Sequence, residues 1–261
     1  MTCSFQLIEE NLHAALSVFA RAKLRLPGLL LVSSGVRFAT FNAALLTAPV
    51  ASAGELEGRL RAASAWFQDR GLPWSVWLCE DWLAGRLQRA APRILAEAGL
   101  HLMTRMPGMA AEGIRPPLRP LPPLVCRRVA DETTRFAFDH IMSVAFNVPF
   151  DVSRQIYGAE QTWGGGMSGY LGLLDGNPVS TAATVVAGGA VGLYAVATLP
   201  GFQGKGYAEA VVRHALAASG IERCVLEATS AGVALYARLG FKPVTRYSVS
   251  VTGYTTSKFM A

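Results

Sequence analysis

Residues 196–208 read VATLPGFQGKGYA, an apolar strand-like run that passes through a glycine-rich turn into a helix-forming stretch. Backbone N–H groups at the start of a helix lack partners within the helix, and the aligned peptide dipoles place partial positive charge there. Glycines let an anion come close to the main chain. Lys205 adds a full charge beside them. The chemistry suited to such a turn is the holding of a phosphate or diphosphate. Two other phosphate motifs are excluded: no G-x-x-x-x-G-K-[ST] string occurs, and a G-x-G-x-x-G series begun at Gly204 and Gly206 meets Glu209 instead of glycine. A dinucleotide fingerprint also needs a parallel unit near the chain's start.

The elements that must hold this turn can be read on both sides of it. Leu124 to Ala130 predicts a strand, and Asp131 can cap a helix that turns Phe136, Phe138, Ile141 and Val144 towards a core. A less regular segment follows through Trp163. Gly169 to Leu174, Val179 to Val186 and Ala190 to Thr198 predict three strands, joined by an Asp175-Gly176-Asn177-Pro178 turn and an Ala187-Gly188-Gly189 turn. They form an antiparallel meander. From Gly206 the period becomes helical, with Ala210, Val211, His214, Ala215 and Ala218 on one stripe, until Ser219-Gly220 stops it. Cys224 to Thr229 predicts a strand, Ala231 to Leu239 a helix ended by Gly240, and Tyr247, Val249 and Val251 a closing strand. The fold class is α/β, a mixed sheet with helices packed on it.

Upstream, residues 114–123 read IRPPLRPLPP, and five prolines in so short a stretch favour an extended connector. The expected units are residues 1–113, a linker at 114–123, and residues 124–261. The first half repeats the order faintly. A helix is predicted over Leu12 to Arg21, strands over Leu29 to Ser33 and Val36 to Leu46, and a helix over Gly54 to Arg70 with Leu56, Leu60, Ala63 and Phe67 on one face. A strand over Trp74 to Cys79, a helix ending at Gly99 and a strand over Leu102 to Met106 follow. Ala96-Glu97-Ala98-Gly99-Leu100 resembles Ala237-Arg238-Leu239-Gly240-Phe241, which suggests an internal duplication.

Composition narrows the class. With 51% apolar and 16% charged residues in 261, the chain has core material for two domains. A net charge of +6 would suit an anionic partner, but Lys and Arg are scattered, with pairs such as Arg127-Arg128 the longest clusters. Nucleic acid is therefore not expected as a partner. Cys3, Cys79, Cys126 and Cys224 stand alone, as do His13, His101, His140 and His214. No metal site or disulfide framework is expected, and reduced thiols fit a cytoplasmic protein. Glu9 and Glu10 interrupt any export signal, and turns break the apolar stretch from Gln161 to Gly204, so no membrane association is expected.

Gln203, Gly206 and Ala208 match Q/R-x-x-G-x-G/A, and Tyr236-Ala237-Arg238-Leu239-Gly240-Phe241 matches Y-x-x-L-G-F. In these two motifs, in this order, residues 123–261 resemble the GNAT superfamily of N-acetyltransferases. The resemblance implies a GNAT-like fold that binds acetyl-CoA (coenzyme A) and transfers its acetyl group to an amine of a small molecule or peptide. Pantetheine would pair with backbone groups of Val196 and Thr198, and the pyrophosphate would sit on N–H groups of Gln203, Gly204, Lys205, Gly206, Tyr207 and Ala208. Tyr236 corresponds to the tyrosine that protonates the leaving thiolate, and it could equally be a packing aromatic. Glu227, the sole carboxylate of its strand, could accept the amine's proton or stand as an edge carboxylate. Glu160 and Asp151 are further candidates, and a water chain would need none of them. Many members carry an Asn where Thr229-Ser230-Ala231 stands, which leaves that cofactor contact to Ser230 or to nothing.

In the first half, the turn after Leu46 lacks the motif and carries Glu55 and Glu57 where phosphates would bind. This half therefore reads as a degenerate GNAT-like copy that covers or extends the acceptor site. A CoA-binding sensor or scaffold without chemistry is the alternative function.

Overall fold

The computed structural model describes residues 4–253; Cys3 and the outermost ends of the two expected units, 1–3 and 254–261, lie outside them. The first half comprises α1 (Ser4–Val18), β1 (Ala22–Leu26), β2 (Leu29–Ser33), β3 (Asn42–Leu46), α2 (Ala53–Gln68), β4 (Ser75–Cys79), α3 (Gly85–Glu97) and β5 (Leu100–Ala111). The second comprises β6 (Val125–Arg128), α4 (Glu132–Phe146), α5 (Phe150–Tyr157), α6 (Glu160–Gly164), β7 (Met167–Leu174), β8 (Asn177–Ala187), β9 (Ala190–Thr198), α7 (Tyr207–Ser219), β10 (Cys224–Glu227), α8 (Val233–Leu239) and β11 (Lys242–Thr252).

All eleven described strands form one sheet, in the order β1-β2-β3-β4-β11-β5-β10-β9-β8-β7-β6. Only β3/β4 and β9/β10 are parallel pairs. The halves interlock at the centre, because β5 lies between β11 and β10 while β11 lies between β4 and β5. Each half thus hands its last strand to the other. Double-sided pairing explains why β5 runs from Leu100 to Ala111, well past the Met106 expected from its own pattern.

Local chemistry sets the ends of the elements. Asp131 caps α4, accepting from Thr134 N–H at 2.8 Å while Thr134 Oγ1 accepts from Asp131 N–H at 3.0 Å. The meander turns use the left-handed backbone that two-residue hairpins need, at Asp175 and Gly176 (φ 49° and 81°) and at Gly188 and Gly189 (φ 61° and 81°).

Several expectations are corrected. α1 begins at Ser4, not Leu12, since Glu9 is buried and accepts from Trp82 Nε1 instead of facing water. β1 was not expected at all. Of the strand expected over Val36 to Leu46, only Asn42–Leu46 pairs. The buried Asn42 side chain folds the preceding residues into a turn by donating to Val36 O (2.7 Å), Phe38 O (3.1 Å) and Pro73 O (3.0 Å). Phe136 and Val144 are 48% and 44% exposed, because α4 buries Phe138, Ile141 and Met142 instead. On α7, Val212 and Leu216 are buried where His214 and Ala218 were expected, and both of the latter are exposed.

Helix α1 packs across β5 and across the second half's β8, β9 and β10. Its Ile8 and Leu12 are fully buried, each contributing about 1.5–3 kcal/mol of hydrophobic stabilisation. Asn11 Nδ2 is shared among the carbonyls of Val185 (3.2 Å), Ala187 (3.1 Å) and Ala190 (3.1 Å), which ties α1 to the β8–β9 hairpin. Gly192 makes room for this amide, since a Cβ there would collide with Asn11 Oδ1.

Candidate active site

The site forms where β9 leaves its neighbours. Thr181 pairs with Ala197 and Ala183 with Tyr194, so Ala195 and Val196 together oppose Ala182. This is a β-bulge, and Ala195 takes a left-handed φ of 49° within it. On the other side, β9 pairs with β10 only at Val191 and Gly192. Beyond those residues the two parallel strands diverge, and a wedge opens between Val196–Thr198 and the end of β10. The Thr198 hydroxyl is committed to Ser180 Oγ (2.8 Å) and its carbonyl accepts from Gln203 Nε2 (3.1 Å).

At the foot of the wedge, Gly204 and Gly206 adopt φ of 75° and 87°, and Gly206 caps α7 with no side chain of its own. Ala210 N–H bonds Gly206 O at 3.1 Å, so the N–H groups of Tyr207, Ala208 and Glu209 precede the first intrahelical bond. Gln203 N–H leans on Pro200 O (3.4 Å), and Lys205 Nζ folds back onto Gly201 O (3.1 Å), over the Phe202 ring. The Tyr207 side chain is buried. Glu209 would repel an anion at this helix start, but Arg213 binds its carboxylate at 2.8 Å.

The corresponding place in the first half is filled. α2 follows β3 as α7 follows β9, yet Ser52 Oγ accepts from Glu55 N–H (3.2 Å) and Glu55 Oε2 accepts from Ala51 N–H (2.8 Å). Arg59 in turn holds Glu55 and the carbonyls of Gly28, Ala48 and Pro49. Strand β3 carries no bulge, and β3 and β4 stay paired through Ala43, Ala44 and Leu45. Bulge, wedge and open helix start occur together only in the second half, among the described residues.

Above the wedge lies a cavity of about 220 Å³. Glu227, Tyr236, Val196, Ala195 and Thr229 line it from the second half, and Leu16, Phe19, Phe41, Trp77 and Met106 from the first. Glu227 stands opposite Gly108, and its Oε1 is buried without a hydrogen-bond partner. Burial, and then the charge of Glu9, push its pKa up to about 8. Tyr236 is buried, which raises its phenol above the ordinary range, and its ring meets Phe241 edge-on at 5.9 Å. Ser230 is exposed and does not line the cavity; Thr229 does, with its Oγ1 accepting from Gly232 N–H at 3.2 Å. Asp151 and Glu160 are exposed and also do not line it. No local pattern marks Ala195, and nothing in the sequence around Glu9 links it to Glu227. The wall contributed by the first half comes from tertiary contact alone.

Residues 154–243 match the family model of the acetyltransferase (GNAT) domain. This stretch is a GNAT domain. It contains the bulge, the wedge, the open helix start, Glu227 and Tyr236. The chain is similar in structure to a GCN5-related N-acetyltransferase from Kribbella flavida, with a TM-score of 0.75 at 19% identity over 98% of each chain. A GCN5-related N-acetyltransferase from Sphaerobacter thermophilus gives 0.57 at 16% identity, over 86% of this chain and 76% of that one. A tandem GNAT protein from the clavulanic acid biosynthesis pathway gives 0.50 at 15%, over 87% and 79%. At such identities the likeness is one of fold. No curated protein matches the sequence. The GNAT domain and the fold point to acyl transfer from acetyl-CoA. Among the described residues, no helix is long and apolar enough to cross a membrane, and no His, Cys, Asp and Glu side chains group to hold a metal ion.

Proposed function

We propose that the chain is an acetyl-CoA-dependent N-acetyltransferase that acts on an amine, with its chemistry in the second half. The observation that carries this reading is the coincidence of a bulged, splayed β9 with an open α7 start, beside a carboxylate of raised pKa. The residues present fit the ligand. N–H groups from Gly204 to Ala208 would hold the diphosphate, where a side chain on Gly206 would crowd Pro122 Cδ at 3.3 Å. Backbone groups of Val196 and Thr198 would take the pantetheine along the wedge. When bound, acetyl-CoA supplies the acetyl group as a thioester.

Glu227 acts as general base. Near pH 8 it is half ionised, and it accepts a proton from the amine so that the nitrogen lone pair is free to form the new C–N bond. Tyr236 holds its proton tightly and delivers it to sulfur as the C–S bond breaks. Starting from the ammonium form, nitrogen gives up two protons: one goes to Glu227 before attack, and the other leaves as the amide forms, balancing the proton that Tyr236 passes to sulfur and regains through solvent. Ser230 contributes backbone only. Residues 1–113 form a second GNAT-like unit, joined by 114–123 to the unit at 124–261; its own Glu55 fills the phosphate position, and its cavity wall shapes the acceptor site.

The test has two arms. Acetyl-CoA should raise the melting temperature, and free thiol should then appear steadily with a suitable amine. Thermal protection with no thiol release from any amine would make the chain a CoA sensor or scaffold, and no protection at all would remove the diphosphate site.

A further inference from the structure

The cavity that faces Glu227 is suited to one kind of acceptor. Among the described residues, Glu227 is the only Asp, Glu, Lys, Arg or His that lines it. The rest of the wall is largely hydrocarbon, thioether and aromatic ring, and it includes Phe19, Phe41 and Tyr157, which meet edge-on at 5.7 to 6.1 Å. Two of these three rings belong to the first half, so the pocket exists only because the halves interlock. The free Glu227 Oε1 marks the end at which an ammonium group would be held.

We propose that the acceptor is a primary amine on an uncharged apolar tail, an aromatic ring or alkyl chain, with no carboxylate, phosphate or second ammonium group; this rests on the N-acetyltransferase reading. A charged tail would lie unpaired against hydrocarbon, and a buried unpaired charge is far more costly than an apolar group is favourable. A cavity of about 150 Å³ accepts benzene. The 220 Å³ here therefore holds a single ring with a short aminoalkyl arm. Met103, Met106, Met142 and Met167 line the space, and flexible thioethers let the wall adapt to tails of different shape.

The test uses the full chain and two readouts. Calorimetry measures binding of 2-phenylethylamine to the CoA-loaded protein, and turnover is followed with n-alkylamines of rising length, 2-phenylethylamine, ethanolamine, β-alanine and spermidine. We expect kcat/KM to rise about fourfold per methylene until the cavity is full. 2-Phenylethylamine should exceed ethanolamine by something on the order of 50-fold. Ala15→Leu, which fills the cavity, should move the optimum to shorter tails and Phe41→Ala to longer ones, both with acetyl-CoA affinity intact as the check on folding. A flat or inverted dependence on tail length, or preference for β-alanine or spermidine, would overturn the acceptor class and leave the enzyme reading standing. Preference for long acyl-CoA donors over acetyl-CoA would also overturn it, by assigning the cavity to the acyl chain. Binding of 2-phenylethylamine without turnover of any amine would support the cavity's assignment while refuting acetyl transfer.

Discussion

The ring of Tyr247 occupies the space that a side chain on Gly108 would need: its Cε2 lies 2.9 Å from the point where that Cβ would stand. Gly108 pairs with Glu227 on one side and Thr245 on the other. One missing side chain in the first half thus lets a tyrosine of the second half lie across the centre of the sheet, where Glu9, Glu227 and Cys79 all act on its phenol.

Gly108→Ala should therefore disturb the centre and not the edge. The new methyl group would meet Thr245 Cγ2 at 2.5 Å as well as the Tyr247 ring, and overpacking of this kind costs about 1–3 kcal/mol. The drop should appear as a lower urea midpoint with an unchanged slope. A variant as stable as the parent would mean that Tyr247 has other room.

The pH behaviour of Glu227 has a definite sign. Its folded pKa is raised from 4.5 to about 8, so between those values the folded chain binds more protons than the unfolded one. The stability contribution is fully present below about pH 4.5 and is lost as pH rises through about 8. Glu227→Gln should melt higher than the parent at pH 9, show no gain at pH 4, and abolish turnover. Activity of the parent should climb with pH through about 8, and Glu9→Gln, by removing a like charge, should shift that rise to lower pH. A rise left in place by Glu9→Gln would show that Glu9 does not act on the base.

What the sequence made legible follows from the range of each interaction. The phosphate turn, the Asp131 cap and the meander hairpins depend on residues a few positions apart, and they could be read directly. The crossing of β5 and β11 pairs residues more than a hundred positions apart, which leaves no local period, and the Ala195 bulge and the divergence of β9 from β10 are changes of register inside strands whose residue pattern reads as regular. Glu9, noted in the sequence only as a break in any export signal, is enclosed by Trp82 and the β11 tyrosine, contacts that come from distant parts of the chain.

Tyr236→Phe keeps the ring against Phe241 and removes only the hydroxyl. If that hydroxyl protonates sulfur, turnover should fall about 100-fold or more while acetyl-CoA affinity stays within a factor of about two. Stopped-assay thiol release and calorimetry separate the two quantities. Unchanged turnover would return Tyr236 to a packing role.

The two helix starts should respond in opposite ways. Gly206→Ala places a Cβ on a residue of φ 87°, a conformation that costs a non-glycine residue about 1–2 kcal/mol, and it crowds Pro122. Acetyl-CoA affinity should fall by roughly 5- to 30-fold as the turn relaxes. Ser52→Ala removes the cap of α2 and should cost about 1 kcal/mol of stability. Acetyl-CoA binding should not change with it. Weakened binding in Ser52→Ala would mean that the first half also contacts the ligand.

Asn11 offers the most direct test of how the halves are held together. Its amide serves three carbonyls of the β8–β9 hairpin, and its Oδ1 accepts from Tyr194 OH at 2.8 Å; the bonds to Val185 and Ala190 are buried and the other two partly so. Asn11→Ala leaves those groups without partners and opens space beside Gly192, so its cost should reach about 2–4 kcal/mol. Asn11→Asp keeps the acceptor for Tyr194 but sets a carboxylate against the same carbonyls, and it should be at least as damaging at neutral pH. Because the hairpin leads straight into the bulged part of β9, both variants should lower acetyl-CoA affinity as well as melting temperature. Loss of stability with affinity untouched would show that the hairpin and the wedge move independently.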